Sequence, residues 1–265
     1  MKRMEDLTYC VRYLAEERFG AKKARETASS LEGDERGLFE AYRALANVRE
    51  PMPAADEFLA AQDRMLRARI AKMGIVDARA LPRTPLDGRL SLWRGDIATL
   101  AADVVVNAAN SRMLGCWVPG HHCIDNAIHT YAGIQLRAEC ARIMQAQGRP
   151  EPTGLAKMTG AYNLPAKWVV HTVGPIADGN PDDEDRALLA SCYESCLDAA
   201  RETGAESIAF CCIGTGAFGF PQKEAAEIAV RTVRRWLDGN GPGIHVVFDV
   251  FLESDERIYR DVLFG

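Results

Sequence analysis

The chain has 265 residues, 48% of them hydrophobic and 26% charged, with a formal net charge of -5. That balance excludes a disordered chain and is long enough for one large domain with an appendage, and no Lys/Arg block offers a surface for tracking a long nucleic acid. No run of about 18 apolar residues occurs, and Met1-Lys2-Arg3-Met4-Glu5-Asp6 leads into an acidic amphipathic stretch, so neither a membrane span nor an apolar signal core is expected, and a cytoplasmic location is.

Residues 1 to about 80 carry helical periodicity only. Leu7, Val11 and Leu14, then Leu38, Tyr42 and Leu45, then Leu59, Leu66, Ile70 and Met73 mark three helices, broken at Gly33 and at Pro51-Met52-Pro53. They hold no cluster of catalytic residue types. Residues 1–85 are therefore read as an N-terminal helical extension whose role is to pack against or cap the domain that follows.

From about residue 88 short apolar runs alternate with helical segments. Strands are expected at 90–93, 104–107, 168–173, 207–212 and 245–251, and helices at 123–147, 184–202, 221–237 and 254–263. Pro221 suits a first helical position, Gly239 a position after the last turn, and Asp255 and Glu256 the positive end of a helix dipole. Alternating strands and helices imply that residues 86–265 form an α/β domain, a largely parallel sheet covered on both faces. Of the eight cysteines, Cys211 and Cys212 are adjacent in an apolar run and Cys192 and Cys196 lie one helical turn apart, which reads as four buried free thiols.

The densest chemistry is Cys116-Trp117-Val118-Pro119-Gly120-His121-His122-Cys123, two thiols and two imidazoles in eight residues, with Asp125 and His129 close behind. Thiolate and neutral imidazole are the ligands that Zn²⁺ prefers, and a Pro119-Gly120 turn can fold the loop so that Cys116 and a His/Cys pair face one ion. A second CxxC or HxxxH pair that would close a structural tetrahedron is absent, so the fourth position is left to water or substrate, as in a catalytic site. The plainer alternative makes Cys116 and Cys123 small core residues and the histidines loop polars.

In an open α/β sheet, ligands collect beyond the carboxyl ends of the strands. After Val104-Val105-Val106 come Asn107 and Asn110, whose carboxamides suit a sugar hydroxyl or else shape the turn. After Cys211-Cys212 comes Ile213-Gly214-Thr215-Gly216-Ala217-Phe218-Gly219-Phe220-Pro221, a loop that can aim backbone amides at a phosphate just ahead of a helix. His171 alternates with apolar neighbours and reads as a satisfied strand histidine without a catalytic role.

Gly95-Asp96-Ile97, Val105-Val106-Asn107-Ala108-Ala109-Asn110, His171-Thr172-Val173-Gly174-Pro175 and Gly214-Thr215-Gly216-Ala217-Phe218-Gly219-Phe220-Pro221 together resemble the macrodomain family in order and spacing. The insert from Gly115 to Asn126 is similar to that of the zinc-dependent microbial branch, which carries a helical N-terminal extension and removes ADP-ribose from proteins. The resemblance implies a three-layer α/β/α sandwich with ADP-ribose across the strand ends. It assigns Asp96 to the adenine amine with Ile97 beside the base, Asn107 and Asn110 to the distal ribose, and Gly214, Thr215, Gly216, Ala217 and Phe218 to the diphosphate, with Phe218 against the distal sugar. Position 214 is Gly where related chains often have Ser, which removes a hydroxyl and leaves the backbone amide. Zinc is implied on Cys116, His121 and Cys123, with His122 as the rival, because adjacent side chains of an extended segment point apart.

The implied activity is zinc-assisted hydrolysis of the bond between the anomeric carbon of mono-ADP-ribose and an oxygen of a protein side chain, acidic or hydroxyl. The partners are then a mono-ADP-ribosylated protein and ADP-ribose as product, with no nucleic acid and no membrane. Asn110 would orient the sugar or water, and Asp125 would act as general base, as support to an imidazole ligand, or only as a helix N-cap. The competing expectations are a module that binds ADP-ribose without reacting, a hydrolase of free derivatives such as O-acetyl-ADP-ribose, and a Cys/His nucleophile.

Overall fold

A computed structural model describes residues 2–240 and 243–265. The extension holds four helices, α1 (Lys2–Phe19), α2 (Ala21–Ser30), α3 (Glu35–Asn47) and α4 (Asp56–Met73), where the periodicity predicts three. The extra break is at Gly20, which adopts φ +83°, and α2 lacks a periodic signal because it buries only Ala24 and Ala28. Leu7, Val11, Leu38, Tyr42, Phe58 and Leu66 close a separate small core, joined by Tyr131 and Ile134 from beyond the extension.

After Gly74 the chain enters β1 (Val76–Asp77), which pairs in parallel with β3 (Leu100–Ala101). Ala78, in the turn after β1, is buried in the main core. The main sheet contains β2 (Leu90–Arg94), β4 (Val104–Ala109), β5 (Ala156–Gly160), β6 (Trp168–Val173), β7 (Ser207–Phe210) and β8 (His245–Val250) in the order β2-β8-β7-β4-β6-β5. All its pairings are parallel except that of the edge strand β5 with β6. β5 escapes the sequence reading because its edge position leaves it half-exposed and without an apolar run, whereas β4, β6, β7 and β8 are buried on both faces and read as continuous apolar stretches. β7 and β8 also stop short of their expected ends, at Phe210 and Val250.

The helix expected over 123–147 is two helices, α5 (Ile124–Ala132) and α6 (Ile134–Gln147), divided at Gly133. Gly133 has φ +99°, and a Cβ there would stand 2.6 Å from Gln62 Nε2, so both backbone and space require glycine. α5 packs on β4 and α6 on β5, while α7 (Asp183–Glu202), α8 (Gln222–Asn240) and α9 (Glu253–Phe264) pack in series to form the second helical layer. The result is the expected three-layer α/β/α arrangement. Cys192, Cys196 and Cys211 are buried and Cys212 half-buried, all as free thiols. Among the described residues, no helix is long and apolar enough to cross a membrane.

The extension is bound to the domain by polar bridges. Gln62 donates to Gln135 at 2.7 Å and accepts from the Ile134 amide at 3.1 Å. Asn163 donates to Asp63 at 2.7 Å, and Arg67 donates to Asn163 at 2.9 Å.

Candidate active site

Strands β2, β8, β7, β4 and β6 run parallel, so the segments that leave them converge on one edge of the sheet. Asp96 leaves β2 half-buried, and its Oδ1 accepts from the Ala98 amide at 3.0 Å. Burial raises its carboxyl, an effect that the Ala98 bond and the charge of Arg43 oppose. Ile97 beside it is buried.

Asn107 of β4 lies level with His171 of β6, so the two side chains meet on one face of the sheet. Asn107 Nδ2 donates to Asp125 Oδ1 at 2.8 Å and to His171 Nδ1 at 3.0 Å. With Nδ1 accepting, the His171 Nε2–H faces Thr159 Oγ1 at 2.9 Å and Cys140 Sγ at 3.8 Å. Burial pushes this imidazole down to about 3, and the ring is a satisfied neutral histidine, as the sequence implies. Asn107 itself is 0% exposed, held between Asp125 and His171.

Asn110 is half-buried, and its Nδ2 donates to the Gly115 carbonyl at 3.1 Å and to Asp125 Oδ2 at 3.3 Å. Two carboxamides therefore hold the two oxygens of one buried carboxylate. Burial pushes Asp125 up to about 6, opposed by the Asn107 bond, the charge of Arg137 and the Asn110 bond. The helix cap is not Asp125 but Cys123, whose Sγ accepts from the Asn126 amide at 3.4 Å. His129 Nε2 lies 3.6 Å from Asp125 Oδ1, and burial holds that ring neutral.

The insert folds as its Pro-Gly pair suggests. The His121 amide donates to the Val118 carbonyl at 3.1 Å, and Gly120 takes φ +67°. Gly115 has φ +78° and passes so close to the His129 ring that a Cβ would stand 2.8 Å from it. The turn brings the ligand atoms of Cys116, His121 and Cys123 within 4.8 Å of one another, with Cys116 Sγ 3.6 Å from His121 Nδ1. A tetrahedral zinc with bonds of about 2.3 Å to sulfur and about 2.0 Å to nitrogen holds such atoms about 3.5 Å apart, so the donor set fits that ion. Of the two adjacent histidines, the structure gathers His121 with the cysteines and leaves His122 out. Burial first, then the neighbouring Cys116, push the Cys123 thiol up to about 12 against the pull of the Asn126 amide. A bound cation would replace those protons, because a coordinating thiol is deprotonated outright.

Between β7 and α8, Gly214 and Gly219 take φ +79° and +68°, and the Phe220 amide donates to the Gly214 carbonyl at 3.0 Å. Among the described residues, the amides of Thr215, Gly216, Ala217 and Phe218 donate to no protein acceptor, which leaves them for an anion ahead of α8.

Three residues that the sequence reading passed over also reach this site. Arg43 Nη2 donates to the His121 carbonyl at 2.7 Å and its Nε to Asn126 Oδ1 at 2.9 Å, while Asn47 Oδ1 accepts from the Gly120 amide at 3.0 Å. Arg137, 4% exposed, donates to the carbonyls of Leu114, Ala46 and Arg49 and lies over the Trp117 ring at 4.4 Å. Their one sequence signal is the placement of polar residues beside apolar ones on otherwise ordinary amphipathic helices.

The family model described as "Macro domain" matches residues 106–229. A protein-ADP-ribose hydrolase of Treponema medium is 53% identical over 225 residues, covering 83% of this chain and 85% of that protein. The chain belongs to the macro domain family. A second protein-ADP-ribose hydrolase, from Staphylococcus aureus (strain MRSA252), is 50% identical over 226 residues, 84% of each chain. Among solved macrodomains, that of Trypanosoma brucei in complex with ADP-ribose is 30% identical with a TM-score of 0.64, over 80% of this chain and 91% of that one. The Oceanobacillus iheyensis macrodomain with ADP is 37% identical with a TM-score of 0.60, over 65% of this chain and 88% of that one.

Proposed function

We propose that this macrodomain is a zinc-assisted hydrolase that removes mono-ADP-ribose from an O-linked side chain, acidic or hydroxyl, of a modified protein and releases ADP-ribose. One observation carries the reading: the three-ligand cluster and the Asn110–Asp125 pair are built into the same stretch of chain. Asn110 grips the carbonyl of Gly115, next to Cys116, and Asp125 follows Cys123 by two residues. A site that only bound ADP-ribose would have no use for an open metal position beside an oriented carboxylate. The names of the relatives, protein-ADP-ribose hydrolase, support the same activity.

In this reading the free oxygen of Asp96 accepts from the adenine amine with Ile97 behind the base, the amides of residues 214–218 hold the diphosphate, and Phe218 lies against the distal ribose. Cys116, His121 and Cys123 would hold a zinc ion, whose chemistry there would be to orient the ribose hydroxyls, to polarise the scissile oxygen or to lower the pKa of a water. Asn110 orients the sugar or the water. Asn107 acts at one remove, fixing Asp125. Asp125 takes a proton from the attacking water, whose oxygen bonds to the anomeric carbon as the bond from that carbon to the side-chain oxygen breaks. The electron pair leaves on that oxygen, which departs as a carboxylate or, with the proton returned, as a hydroxyl.

The test is single-turnover release of radiolabelled ADP-ribose from a modified protein before and after zinc is stripped. Loss of zinc, or Cys123→Ala, is expected to slow release hundreds-fold, about 3–4 kcal/mol of transition-state stabilisation, with recovery on adding zinc to the wild type. Full turnover without zinc would overturn the metal's role. Tight binding without release would leave a recognition module, and preference for a small acetylated ADP-ribose would move the substrate to free nucleotides.

A further inference from the structure

The segment from Val118 to His121 carries one ligand on a surface turn that the domain alone restrains weakly. Val118 is 57% exposed, His121 is exposed, and Gly120 has open space around it. Left to itself, such a turn would sample many conformations, and gathering a thiol, an imidazole and a second thiol around one ion would then cost ordering entropy at each binding event. The restraints that fix it come largely from outside the domain. Arg43 Nη2 holds the His121 carbonyl at 2.7 Å, and Asn47 Oδ1 holds the Gly120 amide at 3.0 Å. Arg43 and Asn47 are four residues apart on α3 and so share one helix face.

The remaining restraint leads back to the same helix. Asn126 Nδ2 donates to the Val118 carbonyl at 3.1 Å and to Asn47 Oδ1 at 2.8 Å, and Asn126 Oδ1 accepts from Arg43 at 2.9 Å. The backbone amide of the same Asn126 donates to Cys123 Sγ at 3.4 Å. The carbonyl of His121, the amide of Gly120 and Asn126, whose own amide donates to Cys123 Sγ, are thus held by two side chains of the extension. Because Arg43 grips the main chain of His121 and not its ring, Nδ1 stays free to meet Cys116 at 3.6 Å, and the side chain of His122 is directed elsewhere.

We propose that α3 of the N-terminal extension is a working part of the metal site: Arg43 and Asn47 are positioning residues that preorganise the Cys116–His121–Cys123 triangle and thereby set its metal affinity. The Macro domain match, residues 106–229, takes in the Cys116–Cys123 loop but not α3, which reaches that loop from the extension through Arg43 and Asn47. This assignment rests on the zinc reading given above, and it replaces the plain capping role that the extension's composition suggests.

The variants are Arg43→Met, which keeps an unbranched apolar stem and removes the donors, and Arg43→Lys, which keeps one. Each is measured for zinc dissociation constant by competition with a chromophoric chelator, for ADP-ribose affinity by calorimetry, and for the melting temperature of the metal-free protein. Arg43→Met is expected to weaken zinc tenfold to a hundredfold, the usual effect of removing support behind a ligand, with ADP-ribose affinity and metal-free melting close to wild type and Arg43→Lys intermediate. Unchanged zinc affinity in Arg43→Met, with a zinc-binding wild type, overturns this proposal alone. A parallel loss of zinc affinity, ADP-ribose affinity and melting temperature also overturns it, since the residue would then be serving the general fold. A wild type that takes up no zinc overturns the metal reading itself.

Discussion

Arg137→Met tests how firmly the extension and the Cys116–Cys123 loop are tied together. The guanidinium is 4% exposed and donates to the Leu114 carbonyl at 2.7 Å, the Ala46 carbonyl at 3.1 Å and the Arg49 carbonyl at 2.8 Å, with Trp117 stacked at 4.4 Å. Methionine fills much of the stem volume and makes none of these bonds. The Ala46 carbonyl keeps a partner, because the Arg49 amide also donates to it at 3.3 Å. Those of Leu114 and Arg49 have no other donor among the described residues, and each buried acceptor left unpaired costs about 1–3 kcal/mol. Against this stands the relief of a buried charge, whose desolvation opposes the native arrangement and already lowers the pKa of Arg137. The expected net loss is about 2–4 kcal/mol in urea denaturation of the metal-free protein, accompanied by weaker zinc binding as Leu114 and Trp117 come free. A loss below about 1 kcal/mol would refute the accounting, showing either that water replaces the guanidinium or that the three carbonyls are less buried than the structure has them.

Asp125→Asn keeps the shape of the side chain but removes the proton acceptor, and it leaves one of the two carboxamides, Asn107 or Asn110, facing an amide nitrogen. The single-turnover rate should fall by about 10²–10⁴ with ADP-ribose affinity little changed; a variant within tenfold of wild type would remove Asp125 from the chemistry. Asp103, 5% exposed, accepts from Lys167 at 2.8 Å, from the Glu206 and Ser207 amides at 2.9 and 3.1 Å, and from the Ser207 hydroxyl at 3.3 Å, joining the starts of β4, β6 and β7. Burial alone would raise its pKa; the Lys167 bond first, then the Glu206 amide, outweigh burial and bring it down to about 2. A lowered folded-state value means that this stabilisation is complete above the ordinary carboxylate range and is lost as pH falls from about 4 toward about 2. It should amount to about 1–2 kcal/mol, since Lys167 is 69% exposed and screened by solvent. Urea midpoints of wild type and Asp103→Asn should therefore converge between pH 5 and pH 2, and a gap that stayed constant with pH would contradict the assignment.

Where the chain's own pattern is strong, sequence and structure agree closely. β6 falls at Trp168–Val173 as its apolar run predicts, and α7 and α8 follow their periodic segments to within a residue or a few. Where the physical signal is weak or distant, they part. α2 buries two alanines only, β5 is a half-exposed edge strand, and the break at Gly133 is required by Gln62, seventy-one positions away in the chain. The candidate site divides in the same way. Cys116, His121 and Cys123 are visible as a local density of ligand types, and Asn110 and the glycine loop as polar exits from apolar strands. Asn107 held between Asp125 and His171, Cys123 in place of Asp125 as helix cap, and the reach of Arg43, Asn47 and Arg137 are not visible, because each depends on which surface comes to face which after packing.

Sequence alone determined the layered α/β class, the parallel sheet and the density of thiol and imidazole groups in the Cys116–Cys123 loop, since these follow from hydrophobic period, from strand and helix alternation and from residue types within a few positions. Tertiary structure alone decided that His121 and not His122 joins the two cysteines, that Asn107 and Asn110 share one carboxylate, and that the extension grips the loop. Those outcomes rest on hydrogen bonds a few ångströms long between side chains far apart in the chain, and a directional contact of that range exists only once helices and strands have been fixed against one another.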